Sequence, residues 1–94
     1  VYYSVEEIVK ANEAVGQVWF RKDTMDFWGT RVYGQIFPTD DGAYFVTSDK
    51  SADGNRRLWS VRFCNRDGRV STISFQTHGS ATAALNEARS LASR

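Results

Sequence analysis

The chain has 94 residues, of which 41% are hydrophobic, 14% aromatic and 24% charged, with a single proline; the length suits one domain spanning residues 1–94 rather than two folded units, and the composition argues against disorder and a low-complexity linker. A formal net charge of +1 argues against a polyanion as the default partner. The one cysteine, Cys64, has no internal disulfide partner, which points to a reducing, cytoplasmic setting.

Ser4-Val5-Glu6-Glu7 reads as a capping box that opens a helix. Val5, Ile8, Val9, Asn12 and Val15 recur at helical spacing on one stripe, and Gly16 supplies the left-handed stop. Gln17 to Arg21 carries Val18, Trp19 and Phe20 as a short β-prone run. Lys22 to Gly29 reads as a short helix capped by Asp23, in which Met25, Phe27 and Trp28 cluster.

Arg31 to Phe37 is a strand with Val32, Gly34 and Ile36 on one face and Tyr33, Gln35 and Phe37 on the other; Pro38 is expected to end its ladder. Thr39-Asp40-Asp41-Gly42 turns the chain into a second strand, Ala43 to Asp49. After a polar loop, Arg57 to Asn65 alternates Trp59, Val61 and Phe63 against Leu58, Ser60, Arg62 and Cys64. Arg66-Asp67-Gly68 turns again, and Arg69 to Phe75 returns with Ile73 and Phe75 expected inward. Ser80 caps a last helix whose stripe is Ala81, Ala84, Leu85, Ala88, Leu91 and Ala92. These elements predict an α+β fold: an antiparallel sheet of four to five strands with N- and C-terminal helices packed on one face.

The inventory is poor in chemistry, and we expect no catalytic residues, no cofactor and no metal. One histidine, His78, and one cysteine cannot build a multi-Cys/His zinc site. A Cys64–His78 nucleophilic pair is formally possible, but a small thiol on a strand is ordinarily packed. Asp40 and Asp41 are adjacent and belong to a turn, and no phosphate-binding glycine loop occurs. No apolar run approaches the ~20 residues of a membrane span.

Two surfaces stand out. Met25, Phe27 and Trp28, with Arg31, Tyr33 and Tyr44, have the aromatic and arginine composition of a protein interface. Residues 1–50 carry net −3 and residues 51–94 net +4, and Arg56, Arg57, Arg62, Arg66 and Arg69 fall on one hairpin and its approach. With Tyr33 and Tyr44 exposed on an open sheet face, these arginines would offer charge and stacking to nucleic acid. The near-zero overall charge makes that the second reading.

Lys22-Asp23-Thr24-Met25-Asp26-Phe27-Trp28-Gly29-Thr30-Arg31, Gly42-Ala43-Tyr44-Phe45-Val46-Thr47-Ser48, Ser60-Val61-Arg62-Phe63 and Asp67-Gly68 together resemble a family of uncharacterised small proteins from phages and mobile genetic elements. The resemblance covers roughly residues 17–92 and brings no catalytic residues. It implies a non-enzymatic interaction protein, monomeric or a small homo-oligomer, that binds a host or defence-system protein complex in the host cytoplasm, as anti-CRISPR inhibitors do.

Overall fold

The computed structural model describes residues 2–16, 29–51 and 53–94. Helix α1 spans Val5–Val15, strands β1 to β4 span Arg31–Thr39, Gly42–Lys50, Arg57–Asn65 and Val70–His78, and helix α2 spans Ala81–Ala92. The strands form an antiparallel meander in the order β1-β2-β3-β4. The expected strand at Gln17–Arg21 and all but the last residue of the short helix at Lys22–Gly29 lie outside the described residues.

Local signals place both helices. The Glu7 amide donates to Ser4 Oγ at 3.3 Å, while the Glu7 carboxylate accepts from the Tyr3 amide, one residue further back than a standard capping box. Gly16 closes α1 at φ 75°, donating its amide to the Asn12 and Glu13 carbonyls. Ser80 caps α2 through the Ala83 amide.

The α+β class and the antiparallel sheet match the sequence expectation, but the two helices occupy opposite faces rather than one. Side chains alternate along a strand, and β2 shows the consequence. Ala43 and Phe45 join Ile8 of α1, Cys64 and Val70 in one buried cluster. Val46, with Val61, packs under Ala84 and Ala88 of α2 in another. Ile8, Phe45, Val46, Val61, Ala84 and Ala88 are all fully buried, and the two alanines let α2 approach the sheet closely. The faces of β1 divide as expected, with Val32 and Ile36 toward α1 and Tyr33 and Phe37 toward α2. They do so although the ladder shifts between Val32 and Ile36, because the shift inserts an even number of residues. Strand β1 also continues through Pro38, which pairs with Ala43; an edge strand tolerates a residue without an N–H.

Gly68 pins α1 to the β3–β4 turn. Its φ is +94°, and a Cβ there would sit 2.4 Å from the Ala11 carbonyl oxygen. Its own carbonyl accepts from Asn12 Nδ2 at 2.9 Å. Among the described residues, no helix is long and apolar enough to cross a membrane.

Candidate protein interface

The two edges of the sheet differ in how they are guarded. Strand β1 carries the exposed Arg31 and Pro38, which discourage strand addition. Strand β4, Val-Ser-Thr-Ile-Ser-Phe-Gln-Thr-His, has β-prone residues, no proline, and no Asp, Glu, Lys or Arg.

What β4 has instead is irregularity. One step on β3, from Arg62 to Val61, is matched by two on β4, from Thr72 to Ser74; the two steps from Val61 to Trp59 are matched by four, from Ser74 to His78. Such bulges break the alternation and re-aim side chains. Ile73 and Phe75 fall in the inserted stretches and stand 45% and 61% exposed, which corrects their expected inward placement. Gln76 adopts a positive φ of 50°, and its amide donates to the buried Ser60 hydroxyl at 2.7 Å, so the bulge has its own anchor in the core.

Beneath Phe75 lies a buried charge. Arg62, 5% exposed, has its guanidinium 5.5 Å from the Phe75 ring centroid. It donates Nε to Thr47 Oγ1 at 3.0 Å and Nη1 to Thr72 Oγ1, and its Nη2 is 3.7 Å from Asp49 Oδ2. Asp49 also accepts from the Thr30 hydroxyl. Burial holds the pKa of Arg62 below its ordinary value, and Asp49 opposes that effect. Arg62 therefore forms a fixed platform under Phe75 and is not the free surface cation expected from the sequence.

On the other face, α2 is tied to β4 by a cluster with no obvious sequence signal, since its members lie on two elements. Glu87 Oε1 is 2.7 Å from His78 Nε2 and accepts from Ser74 Oγ at 2.8 Å. The His78 contact, then the Ser74 bond, lowers the Glu87 pKa. Serine, histidine and carboxylate here do not make a relay. Nucleophilic activation needs the serine bonded to the imidazole, whereas both groups converge on one carboxylate oxygen.

The remaining candidates are scattered. Met25, Phe27 and Trp28 lie outside the described residues. Arg31 is exposed at the start of β1. Tyr33 and Tyr44 are half-buried against α2, with the Tyr44 ring tilted 52° to that of Phe63 at a centroid distance of 4.7 Å, so the open tyrosine face anticipated from the sequence is covered. Arg56 is exposed, but Arg57 Nη1 donates to the Gly29 carbonyl and to the Ser48 carbonyl and hydroxyl. Arg66 donates to the Asp40 carbonyl at the far end of the hairpin, near the exposed Arg69. A nine-residue strand separates these two groups of arginines by about 27 Å, and they do not form one patch. Cys64 packs on the α1 face and His78 pairs with Trp59 on the α2 face, so the nucleophilic pair does not form. Burial raises the thiol's pKa.

A cleft of about 340 Å³ at the turn end of the sheet is lined by Tyr2, Ala11, Thr39, Asp40, Gly42 and Arg66. Tyr2 donates its hydroxyl to the Asn65 carbonyl at 2.6 Å, and burial, followed by the Cys64 contact, pushes its pKa up to about 12. That phenol stays protonated at neutral pH and serves as a hydrogen-bond donor.

A family model matches residues 4–89, which takes in α1, all four strands and most of α2. The chain belongs to DUF7447, a family of unknown function. No curated protein and no solved structure matches it significantly. Membership in DUF7447 carries no chemistry to transfer, so the functional argument rests on the geometry of β4.

Proposed function

We propose that this chain is a non-enzymatic protein-interaction domain whose contact strand is β4. The observation that carries the reading is the pair of large apolar side chains, Ile73 and Phe75, held out to solvent on an uncharged edge strand. A half-exposed phenylalanine braced by a buried guanidinium is costly to leave in water and is pre-positioned for burial by a partner. The resemblance adds a setting to this proposal: inhibition of a host or defence complex in the cytoplasm by occupation of its surface. The nucleic-acid alternative draws less support, because Arg62 is buried and the exposed Arg56 and Arg69 lie at opposite ends of the hairpin.

The test is affinity capture from a host lysate with the wild type and Phe75→Ser side by side. A stoichiometric protein retained by the wild type and lost with the variant is expected. Equal capture by both, or capture by neither, would overturn the reading of β4 as the contact strand.

A further inference from the structure

We infer that Lys50, Arg57 and Arg31 form a site for a phosphate group at the end of the sheet where β1 and β3 begin and β2 ends. The site is independent of the reading of β4 as the contact strand. The register of the ladders brings the three side chains together. Lys50 pairs directly with Arg57, and Arg31 pairs with Ser48, two residues before Lys50. Ser48 and Lys50 alternate with Val46 onto the face that packs against α2, so all three cations stand on that one face. Arg31 and Lys50 are exposed and Arg57 is half-buried. Like charges directly opposite each other on antiparallel strands destabilise a sheet, and the fold nevertheless keeps Lys50 against Arg57.

The two opposed cations converge on one residue. Arg57 Nη1 donates to the Gly29 carbonyl at 2.9 Å and to the Ser48 carbonyl and hydroxyl at 3.0 and 2.9 Å. The Lys50 stem runs past the same glycine, its Cγ, Cδ and Cε each 3.4 Å from where a Cβ on Gly29 would stand. With Nη1 bonded to three acceptors the guanidinium plane is fixed, and its Nε and Nη2 edge makes no hydrogen bond among the described residues. That edge presents two parallel N–H groups, the fork that fits two oxygens of a phosphate or carboxylate. Among the described residues no carboxylate forms an ion pair with Arg31, Lys50 or Arg57. Asp49 turns to Arg62 on the opposite face, and Asp53 accepts from Ser51 and Asn55 within its loop. One guanidinium balances one carboxylate, whereas several cations on one face match a phosphate monoester, with its charge of about −1.5 to −2 at pH 7. The aromatic rings on this face, Tyr33 and Trp59, are half-buried against the α2 cluster, so the site lacks the stacking surface that a nucleic-acid strand uses.

A titration with inorganic phosphate, followed in amide ¹H–¹⁵N spectra at constant ionic strength, tests this. Saturable shifts should centre on Gly29, Lys50 and Arg57, and acetate at the same ionic strength should produce none. Glycerol phosphate in parallel separates the sources: tighter binding than inorganic phosphate assigns the site to a phosphate monoester, and equal or weaker binding assigns it to the free ion. Lys50→Glu should raise the phosphate dissociation constant by at least about tenfold, because it sets an anion beside the guanidinium. The same variant should raise the urea midpoint, since an opposed like-charge pair becomes one of opposite charges, so that its lost binding is not lost folding. Phe75→Ser should leave phosphate binding unchanged, and this site and the contact role of β4 therefore fail separately. Shifts that do not saturate, an equal response to acetate, or a phosphate affinity unmoved by Lys50→Glu would overturn the inference. So would a thymidine oligonucleotide that binds at these residues when phosphate and glycerol phosphate do not.

Discussion

Removing the carboxylate of Asp49 gives the sharpest test of the buried polar layer under Phe75. In Asp49→Ala, Arg62 keeps its bonds to Thr47 and Thr72 but loses its facing carboxylate, and the Thr30 hydroxyl loses its acceptor. Breaking one side of a buried ion pair costs about 3–5 kcal/mol. The contact here, at 3.7 Å, is longer than a charge-assisted hydrogen bond, which places the expected loss near the lower end, about 3 kcal/mol. A domain of this length has a total stability of about 5–14 kcal/mol, so the change removes a large share of it. The midpoint of thermal unfolding should fall by roughly 12–24 °C. Urea denaturation with an unchanged m-value gives the direct reading. The double variant Asp49→Leu with Arg62→Met should recover much of the loss, since an apolar pair of similar volume avoids the desolvation of both charges. A loss below about 1 kcal/mol in Asp49→Ala would refute the reasoning, because only a surface pair is worth so little. The exposed Arg66–Asp41 pair, at 3.9 Å, serves as the internal control, and Asp41→Ala should leave the urea midpoint unchanged.

Other consequences are as direct. Gly68→Ala must both adopt a positive φ and push its Cβ away from the Ala11 carbonyl, so it should cost about 2 kcal/mol or more in urea unfolding; Gly54→Ala, at φ +74° in open space, should cost only about 1 kcal/mol. The His78 and Ser74 contacts hold the Glu87 pKa below its ordinary value of 4.5. Their stabilisation is therefore present above that pH and is lost as pH falls through the lower folded-state value. Glu87→Gln should flatten this acid limb of the stability profile, and an unchanged limb would contradict the assignment. Cys64 is fully buried with a raised pKa, so iodoacetamide at pH 8 should alkylate it far more slowly in the folded chain than in urea.

The residues explain which of these features were legible beforehand. The caps at Ser4, Gly16 and Ser80 are local chemistry, and they fall where the sequence puts them. So does β3, where Trp59, Val61 and Phe63 alternate without interruption. Alternation assigns side chains to two faces but does not say which helix covers which, and so α1 and α2 were expected on the same one. The error at Ile73 and Phe75 has a different origin. A bulge is a property of the pairing between two strands, and β4 read alone looks like a regular strand until its register against Arg62, Val61 and Trp59 is known. Arg62 was misplaced for a related reason: its neutralising partner, Asp49, is thirteen residues away on the adjacent strand. The Ser74–His78–Glu87 cluster likewise needs β4 and α2 to be brought together before it exists.

The most direct test of β4 as the contact strand is capture from a host lysate by the wild type, Phe75→Ser and, as a control on the opposite edge of the sheet, Arg31→Ala. The account predicts that a stoichiometric protein retained by the wild type is lost with Phe75→Ser and kept with Arg31→Ala. Capture unchanged by Phe75→Ser, or lost with Arg31→Ala instead, would contradict it.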